Sequence, residues 1–186
     1  MAKDKENVNR YRQARKEYYA RLSEREGVEY KGSREMASED LDWISPERLE
    51  RIENEKSLPQ PQEVVQMAKV YETPSLCNYY CSKQCPIGQD YVPEIRVKDL
   101  SQIILEMLAS LNSAVKMKDR LIEITADGEI SKDEISDFID IQEQLERLSI
   151  TVETLQIWSE RMVARGKIDE EEYTAQREKR KQNNVK

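Results

Sequence analysis

"SREMASEDLDWISPERLERIENEK", residues 33–56, reads as two short helices with a corner between them. Ser33 is a good N-cap, and Met36, Ala37 and Leu41 give the first helix an inner face. Ser45-Pro46 starts the second, with Ser at the cap and Pro at the first helical position. Leu49 and Ile52, at i and i+3, turn inward. Side chains facing away from that pair are Glu47, Arg48, Glu50, Arg51 and Asn54. This outer face is rich in Glu, so its charge decides what it can meet.

Upstream, Tyr11, Ala14, Tyr18 and Leu22 recur at helical spacing and predict a helix over residues 8–25, ended near Gly27. Downstream, "SLPQP" stops the second short helix, and residues 62–71 form another, with Val64, Val65, Ala68, Val70 and Tyr71 available for packing. Residues 1–73 are thus expected to make a helical domain. Residues 74–96 read as a Cys-, Tyr- and Pro-rich connector, in which Pro86-Ile87-Gly88 and Pro93 break any helix.

The second half is simpler. Val97, Leu100, Ile104, Met107, Leu111, Ala114, Met117, Leu121 and Ile124 step by three or four. So do Ile135, Phe138, Ile141, Leu145, Leu148, Val152, Leu155, Trp158 and Met162. With a turn at Asp127-Gly128, residues 97–168 predict an antiparallel long-helix hairpin. Each helix would span about 45 Å at about 1.5 Å per residue. Two helices bury only one stripe each, so the hairpin needs the N-terminal domain or a second copy; a dimeric four-helix bundle is the natural solution. Residues 169–186 form a polar tail, basic and aperiodic from Thr174 and expected to fray.

The stretch "ISPERLERIENEKSLPQPQEVVQMAKVY", residues 44–71, resembles the helix-turn-helix of the Cro-repressor-like, or XRE-type, transcriptional regulators. The features that carry the resemblance are Ile44-Ser45, Leu49, Arg51-Ile52-Glu53, Pro59 or Pro61, and Met67-Ala68-Lys69. The whole chain is similar to a group of such regulators in Gram-positive bacteria, which combine a "CPIG" connector with a helical C-terminal region. The resemblance implies an all-α fold and sequence-specific regulation of transcription, by a dimer that sets two recognition helices into the major groove of double-stranded DNA. Two departures stand out. The corner "SEDLDWIS" is one or two residues longer than the family's, with Trp43 where Gly is frequent. Pro46, Glu47 and Arg48 occupy positions where Gln, Arg, Ser or Thr are common.

Glu47 can accept from cytosine N4 and Arg48 can pair with guanine. The candidate DNA-contacting set is Ser45, Glu47, Arg48 and Arg51 on the second short helix, Arg34 before it, and Arg12 and Lys16, with Arg10 and Arg15 as further phosphate donors. Whole-chain charge does not favour nucleic acid, since the net is −7 and the pI about 5.0. Residues 1–31, however, hold nine Lys/Arg against six Asp/Glu, a local net of +3. The competing reading pairs these Glu and Arg side chains along a solvated helix and makes the chain an adaptor that binds another protein through a retained helix-turn-helix fold.

Cys77, Cys81 and Cys85 invite a metal-site or redox reading. The chain has no His. In a continuous helix Cys77 and Cys85 would lie about 12 Å apart along the axis. Two thiolates on one zinc lie within about 4.6 Å of each other. Small buried hydrophobes are the simpler interpretation. "EITADGEISKDE", residues 123–134, has half the outline of a calcium loop, but Glu123 and Thr125 stand where Asp or Asn is expected, and a Gly-ended helix followed by one capped at Ser131 accounts for it. With no His, no Gly-rich phosphate loop and no argument for a carboxylate pair in a cleft, no enzyme and no cofactor are expected. No apolar run reaches membrane-spanning length, the N-terminus is charged from Lys3, and the cysteine count is odd, so a cytoplasmic location is expected.

Overall fold

The computed structural model describes residues 9–96, 98–126 and 128–183, and side chains as far as residue 180. Residues 1–8, the stripe residue Val97, the turn residue Asp127 and residues 184–186 lie outside the described residues. The fold is all-α: every element among the described residues is a helix. None of these is long and apolar enough to cross a membrane. The chain divides into two compact units, Met1–Glu94 together with Glu160–Lys186, and Ile95–Ser159.

In the first unit, α1 (Arg10–Glu26) starts at Asn9, whose side chain accepts from the Tyr11 and Arg12 amides, and ends at Gly27 in the left-handed region. Tyr11, Ala14 and Tyr19 line its buried face. Then come α2 (Arg34–Leu41), capped by Ser33, and α3 (Pro46–Glu53), capped by Ser45 with Pro46 at its start. Leu49 and Ile52 are buried to 1% exposure, so α3 is anchored by the two residues expected to face inward. They join Ala37, Leu41 and Ile44, together with Val64 and Met67 of α4 (Pro61–Val70), in one core.

The corner between α2 and α3 has a specific solution. Asp42 sits at φ 67°, ψ −65°, and the Trp43 amide donates to the Leu41 carbonyl at 2.8 Å, a tight γ-turn. The left-handed residue is therefore Asp42, while Trp43 turns its side chain outward and the next residue, Ile44, is buried. Ser38 braces the corner by donating to the Ile44 carbonyl at 2.8 Å.

Residues 74–96 do more than connect. They hold α5 (Ser75–Lys83) and the single turn α6 (Gly88–Tyr91). Leu76 enters the core, Tyr79 packs edge-on against Tyr11, and the Tyr11 hydroxyl donates to Gln84 at 2.7 Å. The Pro86 break falls after α5, and Gly88 is buried hard against Cys81: a Cβ there would lie 2.7 Å from the Cys81 carbonyl carbon.

The tail differs from its expectation. Helix α9 (Glu170–Asn183) continues past Thr174. Asp169 accepts from the Glu172 amide, three glutamates fill the first turn, and Arg177, Lys179 and Arg180 follow, an order that suits the helix dipole.

The second unit is built from α7 (Leu100–Ile124) and most of α8 (Ile135–Ala164). Arg120 of α7 meets Asp137 of α8 at 2.6 Å. Ala114, Met117 and Leu121 share a crevice with Ile141, Gln144 and Leu145. The expected single stripe on α7 is two stripes. Ile103 and Ile124 are buried, whereas Leu100, Ile104, Leu108, Leu111, Val115 and Ile122 are exposed, about a third of a turn round the helix. Between α7 and α8, the Glu134 carboxylate accepts from the Ser131 amide at 3.0 Å, and α8 begins only at Ile135. Thr125 donates back to the Leu121 carbonyl. Among the described residues no group of three His, Cys, Asp or Glu side chains is placed to hold a metal ion.

Candidate nucleic-acid interface

Glu53 is the hub of the α1–α2–α3 junction. Its carboxylate is 1% exposed and takes Arg15 in a two-pronged pair, Nε to Oε1 at 2.6 Å and Nη2 to Oε2 at 2.8 Å. Arg15 also donates to the Gly32 carbonyl through Nη1. Arg34, the first residue of α2, donates Nε to Oε2 of Glu53 at 2.9 Å. Arg12 lies 3.7 Å from the same oxygen and donates to Asn54 at 2.6 Å. Burial pushes the Glu53 carboxyl up, but Arg15 and then Arg34 outweigh it and hold it below the usual carboxylate range. Arg15 is also desolvated, and its bonds to Glu53 hold its pKa above the ordinary value.

One carboxylate thus faces three guanidiniums, and two positive charges are left over. Arg15 is enclosed at 6% exposure, whereas Arg34 and Arg12, at 27% and 36%, open to solvent. The excess charge therefore surfaces beside the start of α2 and the end of α3. Lys16, one residue on from Arg15, is exposed.

Arg48 is placed elsewhere. It was expected to project from α3, but it lies against the loop leading to α4. Its Nε and Nη2 donate to Oε1 and Oε2 of Glu63, each at 2.6 Å, Nη1 donates to Ser57 at 2.7 Å, and Nη2 also reaches the Leu58 carbonyl. Glu63 is nearly buried and also accepts from the Gln60 amide at 2.6 Å. Desolvation raises the Glu63 carboxyl, yet Arg48 and Gln60 keep it low. All of the guanidinium nitrogens of Arg48 are thereby engaged, which leaves Glu47, Glu50 and Arg51 as the exposed charges of α3.

Ser45 contributes as a cap, its hydroxyl accepting from the Arg48 amide at 3.2 Å. Glu47 is held below its ordinary pKa by its own backbone N–H and by Ser45, and Glu35 in the first turn of α2 by the equivalent pair, its own N–H and Ser33. The two carboxylates are close enough to repel each other. Both are ionised at neutral pH and sit at the leading ends of α2 and α3.

The three cysteines are free and half-buried. Cys77 packs on the core of the first unit, and burial raises its thiol, with Cys81 and Glu160 adding to the effect, so it is poorly suited to act as a thiolate. Glu53 and Glu63 are the functional residues missed from the sequence. Glu53 had a legible signal, since it is four residues beyond Leu49 and so falls on the inner stripe; Arg15 likewise falls between Tyr11 and Tyr19.

Comparison with protein-family models, with curated proteins and with solved structures gave no match.

Proposed function

We propose that the first unit binds double-stranded DNA as a sequence-specific transcriptional regulator of the helix-turn-helix kind that residues 33–72 resemble. The observation that carries this reading is the surplus of guanidinium around Glu53 in an otherwise acidic chain. Arg12 and Arg34 are positioned by a buried carboxylate yet open to solvent, as phosphate contacts require. With α3 seated by Leu49 and Ile52, base contact falls to Glu47, Glu50, Arg51 and Asn54, Glu47 accepting from cytosine and Arg51 donating to guanine. The second unit supplies dimerisation. Leu108, Val115 and Ile122 on α7 and Leu145 and Val152 on α8 are each about half exposed or more, and a monomer rarely leaves so much apolar surface in water. Two copies joined there would present their α3 helices to a two-fold site.

The second reading is a protein-binding adaptor, and the Glu35–Glu47 pair favours it, because both acids lie where phosphates would pass. Titration of the full chain with a pool of genomic duplexes at about 50 mM salt separates the two. Binding that weakens steeply with salt supports the regulator. No binding at low salt, where electrostatic affinity is greatest, favours the adaptor.

A further inference from the structure

The outer stripe of α7 carries a register as well as an apolar surface. Ile104, Leu108, Leu111, Val115, Lys118 and Ile122 step alternately by four and three residues, the spacing of a seam between two wound helices. All six are exposed, while Ala114, Met117 and Leu121 face α8 instead. The residues flanking the seam are Leu100, Met107, Ala114 and Leu121 on one side and Leu105, Asn112 and Asp119 on the other. Asp119 is the one charge among them, so the margins offer little by which a charged foreign partner could be chosen. A face of this kind fits a second copy of itself.

Lys118 sets the direction of that pairing. In a parallel pair each seam residue meets its own counterpart, so Lys118 would face Lys118 between the Val115 and Ile122 layers, two like charges drawn out of water. Asp119, 3.8 Å from the Lys118 ammonium, is 86% exposed and too well solvated to offset that cost. An antiparallel pair escapes it. With the two-fold axis between Leu108 and Leu111, Leu108 packs on Leu111 of the second copy and Ile104 on Val115, and symmetry supplies the reverse pairs. Four consecutive layers are then wholly aliphatic. Lys118 falls at the two ends, against Ser101 of the second copy, where its ammonium reaches water along its own stem. Sliding one copy by a heptad either sets Lys118 against Leu108, inside the seam, or spends Leu111 on Ser101.

We infer that the dimer proposed for the second unit, on which this reading rests, is closed by an antiparallel α7 pair in the register Leu108 to Leu111, and that Lys118 excludes the parallel arrangement.

The test places Ser101→Cys and Lys118→Cys together in the full-length chain and treats it with a short bismaleimide. Within one helix the two positions are about 25 Å apart, beyond the reach of the reagent. Peptide mapping of the cross-linked dimer reads which positions are joined and tells the new thiols from the native ones. Light scattering on the same chain reports the dimer separately. The expected product joins position 101 of one chain to position 118 of the other. No 118-to-118 product is expected, because those positions lie about 25 Å apart in the antiparallel pair, against about 10 Å in a parallel one. A dimer that yields the 118-to-118 product, or neither product, overturns the inference and leaves the dimer standing. A chain that stays monomeric overturns the dimer and the inference together. Lys118→Leu is expected to tighten the dimer by less than about tenfold, since it alters only the ends of the seam; a greater tightening overturns the proposed direction.

Discussion

Arg48 and Glu63 hold each other through two 2.6 Å hydrogen bonds, and this pair fastens the start of α3 to the start of α4 across fifteen residues of chain. The same carboxylate closes back on the Gln60 amide, so one buried anion caps α4 and receives a guanidinium from α3. Arg48, expected from the sequence to read bases, works as a clamp between α3 and α4.

Arg48→Ala should therefore act first on stability. It strands Glu63 at 7% side-chain exposure without its cation. The expected loss is about 2–3 kcal/mol, below the full cost for an entirely enclosed pair because Arg48 itself is partly open. Urea unfolding followed by circular dichroism measures it. A variant with wild-type stability and altered base preference would restore Arg48 to the reading face.

Acid sensitivity follows from the two buried carboxylates. Glu53 and Glu63 are both held below their ordinary pKa in the folded chain. Their contribution is complete above the unfolded value, about 4.3, and is lost as the pH falls through the lowered folded values. The urea midpoint should be nearly flat from pH 7 to 5 and drop steeply below about pH 4. Glu53→Gln combined with Glu63→Gln should be less stable at pH 7 and distinctly flatter below pH 4. Equal slopes would mean that other groups govern the acid limb.

Arg34→Gln and Arg12→Gln should weaken DNA binding for all sequences alike. Each is expected to reduce the slope of log affinity against log salt by about one, the signature of a lost phosphate contact. Arg51→Gln should instead change preference among sites, with little change in that slope. Fluorescence anisotropy over a salt series reads both quantities. An unchanged slope in the Arg34 and Arg12 variants would remove these residues from the phosphate path.

Self-association should depend on the outer stripe of α7. Leu108→Glu or Val115→Glu replaces an exposed apolar side chain with a charge, so the folded unit itself has little to lose. In a two-fold interface each substitution counts twice, and the dimer dissociation constant should rise at least about a hundredfold. Light scattering on the full-length chain, with helicity checked by circular dichroism, decides the matter. A wild-type chain that stays monomeric at high concentration would contradict the proposed dimer outright.

The elements of this protein are written in short-range signals. Ser33 and Ser45 as caps, Pro46 at a first turn and Gly27 at a helix end are choices made by a few neighbouring residues, and α1 to α4, α7 and α8 can be read from them with the period of the apolar side chains. Helix α5 was obscured by its composition, since Cys, Asn and Tyr read as a connector, although Leu76 and Tyr79 have core-facing spacing. Helix α9 was obscured because it has no apolar period; its support is the ordering of charge along its axis.

Partner choice is a different kind of information. Arg15 finds Glu53 across 38 residues and Arg48 finds Glu63 across 15, because the helices cross so as to bring those groups together. Nothing within a turn of either arginine says which carboxylate it will meet. Likewise, the apolar residues of α7 all carry the same helical period, and only packing against α8 divides them into a covered stripe and an open one. Helix formation is governed by contacts a few residues apart. The identity of the free cations and of the unpartnered surface is a property of the assembled chain.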